Sequence, residues 1–208
     1  MPTRPYLSVV IPAYNEETRL GPTLDRVLAW GDGKDFDVEL LVVDDGSSDD
    51  TVGLVRRSMT EHPNLQVLEN GKNRGKGFSV GHGVSRATGE HVLFSDADLS
   101  TPIEAFDGLH AALQGADIAI GSRNMPDSEL TKRQAFYREG MGRTFNLLVR
   151  MLVFPGIRDT QCGFKLFRAD AAKRVFTHRT IDGFAFDVEI LYIARRLGMQ
   201  VVEVPVTW

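Results

Sequence analysis

The chain has 208 residues, 42% of them hydrophobic and 25% charged, with a formal net charge of -4 at pH 7. That length holds one sizeable core and predicts a single domain, while the acidic balance argues against a general nucleic-acid binder. A lone cysteine, Cys162, excludes an intramolecular disulfide and fits a reducing compartment.

Leu7 to Ile11 is an apolar run stopped by Pro12 and predicts a buried strand; it is too short for the core of a signal peptide. Glu16 to Trp30 predicts a helix whose apolar stripe is Leu20, Leu24, Val27 and Leu28. Val38 to Val43 is a second buried strand ending in Asp44-Asp45-Gly46-Ser47-Ser48, and the acidic Asp49 and Asp50 suit the start of the next helix at Thr51. Leu65 to Leu68 predicts a third strand, Gly77 to Ala87 a helix, and His91 to Phe94 a fourth strand leading into Ser95-Asp96-Ala97-Asp98. Pro102 sits where a helix begins, a position at which its missing N–H is harmless, and Asp117 to Ile120 predicts a fifth strand.

The second half is less regular. Arg133 to Phe154 predicts a long helix, with Tyr137, Met141, Phe145, Leu148 and Leu152 as its apolar stripe. That stripe fits packing on a sheet, and with the flanking Arg138, Arg143 and Arg150 it also fits a helix lying on a membrane. Cys162 to Phe167 alternates as a strand, Asp187 to Arg196 predicts a helix and Gln200 to Val206 a final strand. No apolar stretch reaches the roughly 18–20 residues that span a bilayer, so the expectation is a cytoplasmic chain, soluble or resting on a membrane surface.

Strands alternating with helices predict an α/β fold, a mostly parallel sheet with helices on both faces. Such sheets bind ligands at the carboxyl ends of their strands. Pro12-Ala13-Tyr14-Asn15-Glu16, Asp44-Asp45-Gly46-Ser47 and Asp96-Ala97-Asp98 each follow a strand and should converge on one edge. In extended geometry Asp96 and Asp98 share a face and can approach one cation. Their hard oxygens, with space left for phosphate, suit Mg²⁺ or Mn²⁺, which would neutralise a diphosphate leaving group. Taken alone the same residues fit a solvated turn. Asp44 to Ser47 likewise reads either as a turn around Gly46 or as carboxylates aimed at a nucleotide. Gly75-Lys76-Gly77 places a cation in a glycine-rich loop that opens a helix, a plausible phosphate or ribose contact. The spacing Gly75, Gly77, Gly81 does not match a dinucleotide fingerprint, and no phosphate-binding loop of the Gly-Lys-Ser/Thr kind is present.

Together, Pro12 to Glu17, Val43 to Ser47 and Asp96 to Asp98 resemble the family-2 glycosyltransferases of the GT-A fold. Gly156-Ile157-Arg158-Asp159-Thr160-Gln161-Cys162-Gly163-Phe164-Lys165-Leu166-Phe167 and Ala185-Phe186-Asp187-Val188-Glu189 are similar to the dolichyl-phosphate β-glucosyltransferase branch, with the dolichyl-phosphate mannose synthases as close relatives. The resemblance runs from about Leu7 to Trp208. It implies inverting transfer of a hexose, glucose from UDP-glucose, to a polyprenyl phosphate on the cytoplasmic membrane face. GDP-mannose, a saccharide hydroxyl acceptor and a non-catalytic nucleotide-sugar-binding module are the alternatives. Many enzymes of this type continue into further C-terminal helices, whereas this sequence stops at Trp208.

The resemblance also implies roles. Residues 1–123 form the nucleotide-sugar half and 124–208 the acceptor half of one domain. Pro12, Ala13, Tyr14, Glu16 and Asp44 line the nucleotide pocket with Gly75, Lys76 and Ala97 nearby; Asp96 approaches the ribose or diphosphate. Asp98 holds the metal, with Gln161 as a third ligand beside Asp96, and Arg123 faces phosphate. A hydroxyl acceptor needs a general base. A phosphate monoester, with a second pKa of about 6, is already mostly dianionic at pH 7 and is its own nucleophile. The acceptor side then needs cations, for which Arg133, Arg138, Arg143, Lys165 and Arg168 are available, Arg143 and Lys165 first among them. Asp159 and Asp187 are bases only if the acceptor is a hydroxyl.

Overall fold

A computed structural model describes residues 4–125, 128 and 156–208. The helix expected over Arg133 to Phe154 lies outside these residues, and Arg143 with it. Seven strands form one sheet: β1 (Leu7–Ala13), β2 (Val38–Asp44), β3 (Leu65–Glu69), β4 (His91–Ser95), β5 (Ile118–Ser122), β6 (Phe164–Arg168) and β7 (Val201–Pro205), in the order β3-β2-β1-β4-β6-β5-β7. All pairings are parallel except those of β6, which runs antiparallel to both β4 and β5.

The described helices are α1 (Leu20–Asp32), α2 (Thr51–Ser58), α3 (Lys76–Arg86), α4 (Phe106–Ala112), α5 (Ala169–Thr177) and α6 (Phe186–Arg196). α1 starts four residues later than the sequence predicts, because residues 14–19 are drawn into the loop at the strand end: Thr51 Oγ accepts the Glu16 N–H at 2.9 Å and Ser47 Oγ that of Asn15 at 2.9 Å. Pro102 leads first into a 3-10 turn, Ile103–Ala105, and only then into α4. α5 is not among the predicted elements, although Ala169, Ala172, Val175 and Phe176 share a helical face.

Both faces of the sheet are apolar, so successive residues of one strand serve different cores. Leu7, Val9 and Ile11 of β1 pack with Leu24 and Val27 of α1, Val55 of α2 and Phe106 of α4. Val10, between them, points the other way and packs with Val80 and Val84 of α3 and Phe186 and Ile190 of α6. At the amino-terminal end of the sheet the buried Glu39 carboxylate accepts hydrogen bonds from Ser8 Oγ and from the Thr88 and Gly89 N–H groups. That satisfied carboxylate ties β1 and β2 to the turn before β4, as a buried charge requires.

The register fixes where the chemistry gathers. Ala13 is paired with Asp44, and Ser95, the last residue of β4, with Phe164, the first of β6. Because β6 is reversed, the segment that precedes it, 156–163, enters at the carboxyl edge of its parallel neighbours. Two distant parts of the chain therefore meet there. Among the described residues no helix is long and apolar enough to cross a membrane.

Candidate active site

A cleft of about 510 Å³ opens at this edge. Its walls come from four places: Pro12, Ala13, Tyr14 and Glu16 after β1; Asp45 after β2; Asn73, Gly75, Lys76 and Ser79 at the start of α3; and Asp96, Ala97 and Asp98 after β4, with Phe184 at the rim. The predicted Pro12, Ala13, Tyr14, Glu16, Gly75, Lys76, Asp96, Ala97 and Asp98 thus face one space.

The backbone around them is held in uncommon conformations. Asn15 has φ 54° and Leu99 φ 44°, the left-handed region that a residue like Leu99 enters only when its surroundings impose it, at about 1–3 kcal/mol. Leu99 turns the chain so that the Asp98 carboxylate accepts both the N–H (3.0 Å) and the hydroxyl (2.8 Å) of Ser100. Gly75, with φ 99°, leads into α3 where a Cβ would come within 2.5 Å of the Asp182 carbonyl oxygen. Only glycine fits there.

Asp44 and Asp45 have different places. Asp44 is buried, and its carboxylate accepts the N–H groups of Gly46 and Ser47, closing the turn. Asp45 lines the cleft instead, and its carboxylate receives the N–H groups of Arg74 (2.9 Å) and Gly75 (2.8 Å) and the Asn70 amide (2.8 Å). It therefore shapes the loop that carries Lys76. The sequence places both aspartates in the cluster aimed at a nucleotide but assigns the pocket to Asp44; the cleft takes Asp45, one residue beyond β2.

Lys76 Nζ lies 2.6 Å from Asp96 Oδ1 on the cleft floor. Burial alone would depress this ammonium, but the Asp96 and Asp187 carboxylates outweigh it and hold its pKa above the ordinary lysine value. Asp98 is the exposed member of the carboxylate pair. Two hard carboxylates beside one cleft, with positions left for phosphate oxygens, suit Mg²⁺ or Mn²⁺ shared with a diphosphate. Among the described residues no three His, Cys, Asp or Glu side chains cluster to form a closed metal site.

Gln161 is half-buried and is not part of the cleft wall; its N–H donates to Asp159 Oδ1 at 3.2 Å. It stands two residues before Gly163, whose carbonyl accepts the Asp96 N–H at 3.2 Å. Arg123 is committed to Asp159, with Nε 2.7 Å and Nη2 3.0 Å from the two carboxylate oxygens and its own N–H donating as well. Burial opposes ionisation of Asp159, but the Arg123 guanidinium and its hydrogen bonds hold that carboxyl below its ordinary range. Glu203 of β7 accepts the Arg158 and Asp159 N–H groups, each at 2.8 Å. Arg123 and Glu203 together hold the segment that carries Gln161.

Lys165 does not reach the cleft. It points inward from β6, fully buried, with Nζ 2.5 Å from Asp187 Oδ1 and 2.6 Å from the Cys162 carbonyl. Burial pushes the Asp187 carboxyl above its ordinary range against the pull of Lys165 and Lys76. Cys162 is buried too, its thiol pushed up to about 11. The alternation of β6 alone could not reveal this, since it does not say which face is covered.

An α/β sheet with a cleft at the carboxyl edge, floored by an Asp-Ala-Asp turn and a glycine-lysine loop, is an open α/β domain with its site where such sheets bind ligands. The chain belongs to glycosyl transferase family 2, whose model matches residues 8–176. It is 40% identical over 216 residues to the dolichyl-phosphate β-glucosyltransferase of Drosophila melanogaster, covering 97% of this chain and 66% of that one. Identity to the enzyme of the same name from Dictyostelium discoideum is 38%, over 98% of this chain and 66% of the other. For the human one it is 37%, over 97% and 67%. The chain spans about two thirds of the length of these relatives. Among solved structures, glucosyl-3-phosphoglycerate synthase of Mycobacterium tuberculosis, in complex with Mn²⁺, UDP-glucose and phosphoglyceric acid, superposes with a TM-score of 0.73 at 20% identity, over 98% of this chain and 70% of that one. Its complex with Mg²⁺ and UDP gives a TM-score of 0.71. These two establish the shared fold.

Proposed function

We propose that this chain is the catalytic domain of a metal-dependent, inverting glycosyltransferase that moves glucose from UDP-glucose to a polyprenyl phosphate of the dolichyl type, working at the cytoplasmic face of a membrane. The donor side rests on the cleft: Tyr14 and Asp45 flank a space for the nucleotide, and Lys76 with Asp96 and Asp98 receives the diphosphate. Asp98 and Asp96 would hold Mg²⁺ or Mn²⁺, and the cation would supply charge neutralisation of the leaving diphosphate; Gln161, expected as a third ligand, lies outside the cleft wall.

The acceptor class is carried by one observation: Asp159 and Asp187, the carboxylates considered as bases, are each locked in an ion pair, with Arg123 and Lys165 respectively. Neither is free to take a proton from a hydroxyl. A phosphate acceptor needs none, because the dianion attacks the anomeric carbon directly while the nucleotide diphosphate departs from the other face. The chain's own part is then to neutralise and align two phosphates, and among the described residues Lys76 is the cation that lines the cleft. Arg143 remains a further acceptor-side cation in this proposal.

The test is transfer from labelled UDP-glucose, with Mn²⁺, to a short polyprenyl phosphate or to free saccharides. Label should pass to the lipid phosphate and not to the sugars, and Asp98→Ala should abolish it without lowering the melting temperature. Transfer to saccharides alone would favour the hydroxyl reading. Turnover by Asp98→Ala in chelator-treated buffer would remove the metal from the scheme. A thermal-shift series with UDP, GDP and their sugars at one concentration identifies the donor, since a ligand that binds only the folded state stabilises it more the tighter it binds, with the logarithm of its affinity.

A further inference from the structure

Phe184, 76% exposed, stands at the rim of the cleft, and Ile181, 39% exposed, three residues before it. An exposed aromatic on a loose loop would mean little. This segment, 178–185 between α5 and α6, is held firmly instead. The Glu189 carboxylate accepts the Thr180 N–H (2.9 Å), the Thr180 hydroxyl (2.6 Å) and the Ile181 N–H (2.8 Å). Arg179 donates to the Ile181 carbonyl and, at 2.8 Å, to Asp182. On the other side the Asp182 carbonyl accepts the Phe78 N–H of α3 at 3.2 Å, and Gly75 and Gly77 leave room for the Asp182 and Ile181 carbonyls. The tip thus stands directly on the glycine-lysine loop, with its base fixed and its apolar side chains outside.

We propose that Phe184 and Ile181 seat the first isoprenoid units of the acceptor, the part of the chain next to its phosphate. The inference rests on the lipid-phosphate reading above and names the surface that recognises the lipid. An acceptor whose phosphate must reach Lys76 and Asp98 carries its apolar chain out past the cleft rim, where water would otherwise cover it. A rigid apolar tip at that point gains from burial without paying ordering entropy. A hexose could stack on Phe184 alone, but Ile181 adds aliphatic surface that a sugar does not use.

Binding distinguishes the occupants. With UDP and Mn²⁺ present, affinities for farnesyl phosphate and for inorganic phosphate are measured by calorimetry on the unaltered chain and on Phe184→Ser, Ile181→Ser and Phe184→Leu. The unaltered chain should prefer farnesyl phosphate by about tenfold or more, each serine variant should lose most of that preference, and Phe184→Leu should keep it. A folded Phe184→Ser that retains the full preference overturns the proposal and leaves the lipid reading standing. A loss that falls instead on UDP-glucose relative to UDP assigns the ring to the hexose, and Phe184-dependent binding to phosphatidylcholine vesicles lacking any acceptor assigns it to the bilayer; either overturns the proposal. No preference for farnesyl phosphate in the unaltered chain overturns the lipid reading and this inference together.

Discussion

Gly163→Ala tests whether the position of the Asp96 carboxylate matters. A Cβ built on Gly163 overlaps Asp96 Oδ2, Cγ and Oδ1 together, so one side must give way. The backbone of Gly163 is poorly placed to yield: its carbonyl accepts the Asp96 N–H, and the next residue, the fully buried Phe164, is paired with Ser95. The carboxylate therefore retreats, by about 1.4 Å to regain van der Waals distance. Misplacement on that scale costs on the order of 10²-fold in rate, or about 2.7 kcal/mol of transition-state stabilisation. Gly163 does not adopt positive φ, so alanine adds no backbone strain and the fold should persist. Transfer from labelled UDP-glucose at saturating Mn²⁺, with a thermal melt beside it, gives both readouts. The expected result is a kcat/KM about two orders of magnitude lower at a nearly unchanged melting temperature. Unaltered turnover by folded Gly163→Ala would refute the assignment of Asp96 to the diphosphate site.

Lys76→Ala should chiefly weaken the donor, by about 10–100-fold in KM for the loss of a charged hydrogen-bonding partner worth ~1.5–3 kcal/mol; an unchanged donor KM counts against it. Lys165→Met should destabilise the fold by about 3–5 kcal/mol in urea denaturation, because it strands the buried Asp187 charge, and Lys165→Met/Asp187→Leu should recover much of that. A single variant within about 1 kcal/mol of the unaltered chain would show that the pair carries no such burden. His91 supplies a pH dependence: its Nδ1 is buried without a hydrogen-bond partner among the described residues, and burial, then the neighbouring His110, holds its pKa below 6.5. The unfolded chain takes the proton more readily, so stability is complete above 6.5 and declines as pH falls through that value toward the folded pKa. Denaturation midpoints measured from about pH 7 to 5.5 should show the decline, and His91→Gln should flatten it.

The parts of the fold that could be read from the sequence are those where one residue type decides the outcome. The apolar runs of β1 and β2 are buried on both faces, so their strands needed no tertiary information. The Asp96-Ala97-Asp98 and Gly75-Lys76-Gly77 segments could be placed on one edge because each follows or precedes an element with a known direction. Three features escaped for physical reasons. α5 has only nine residues and builds its inner face largely from alanine, so although its two faces differ clearly it lacks the run of large apolar side chains that marks the other helices. Lys165 reads as an acceptor-side cation because a lysine is seldom fully buried; its partner Asp187 lies 22 positions away in the sequence. Phe184 belongs to no periodic pattern, and only the hydrogen bonds of Glu189 and Phe78 bring it to the cleft.

The reversed strand β6 explains why the carboxylates at this edge fall into two kinds. A parallel strand delivers a turn and a helix at the carboxyl edge, and Asp45, Asp96 and Asp98 arrive in that way with their side chains toward the cleft. A strand running against its neighbours brings its leading segment to the same edge and then descends into the core. Asp159 precedes that descent and Lys165 takes part in it, so both lie deeper, and each is buried against an opposite charge. Buried ions without such partners would not be tolerated. The pairing that makes their burial possible also removes Asp159 and Asp187 from proton transfer. The fold thus leaves Lys76, Asp96 and Asp98 at the cleft but no disengaged base in Asp159 or Asp187, the arrangement expected for the proposed acceptor that arrives already charged.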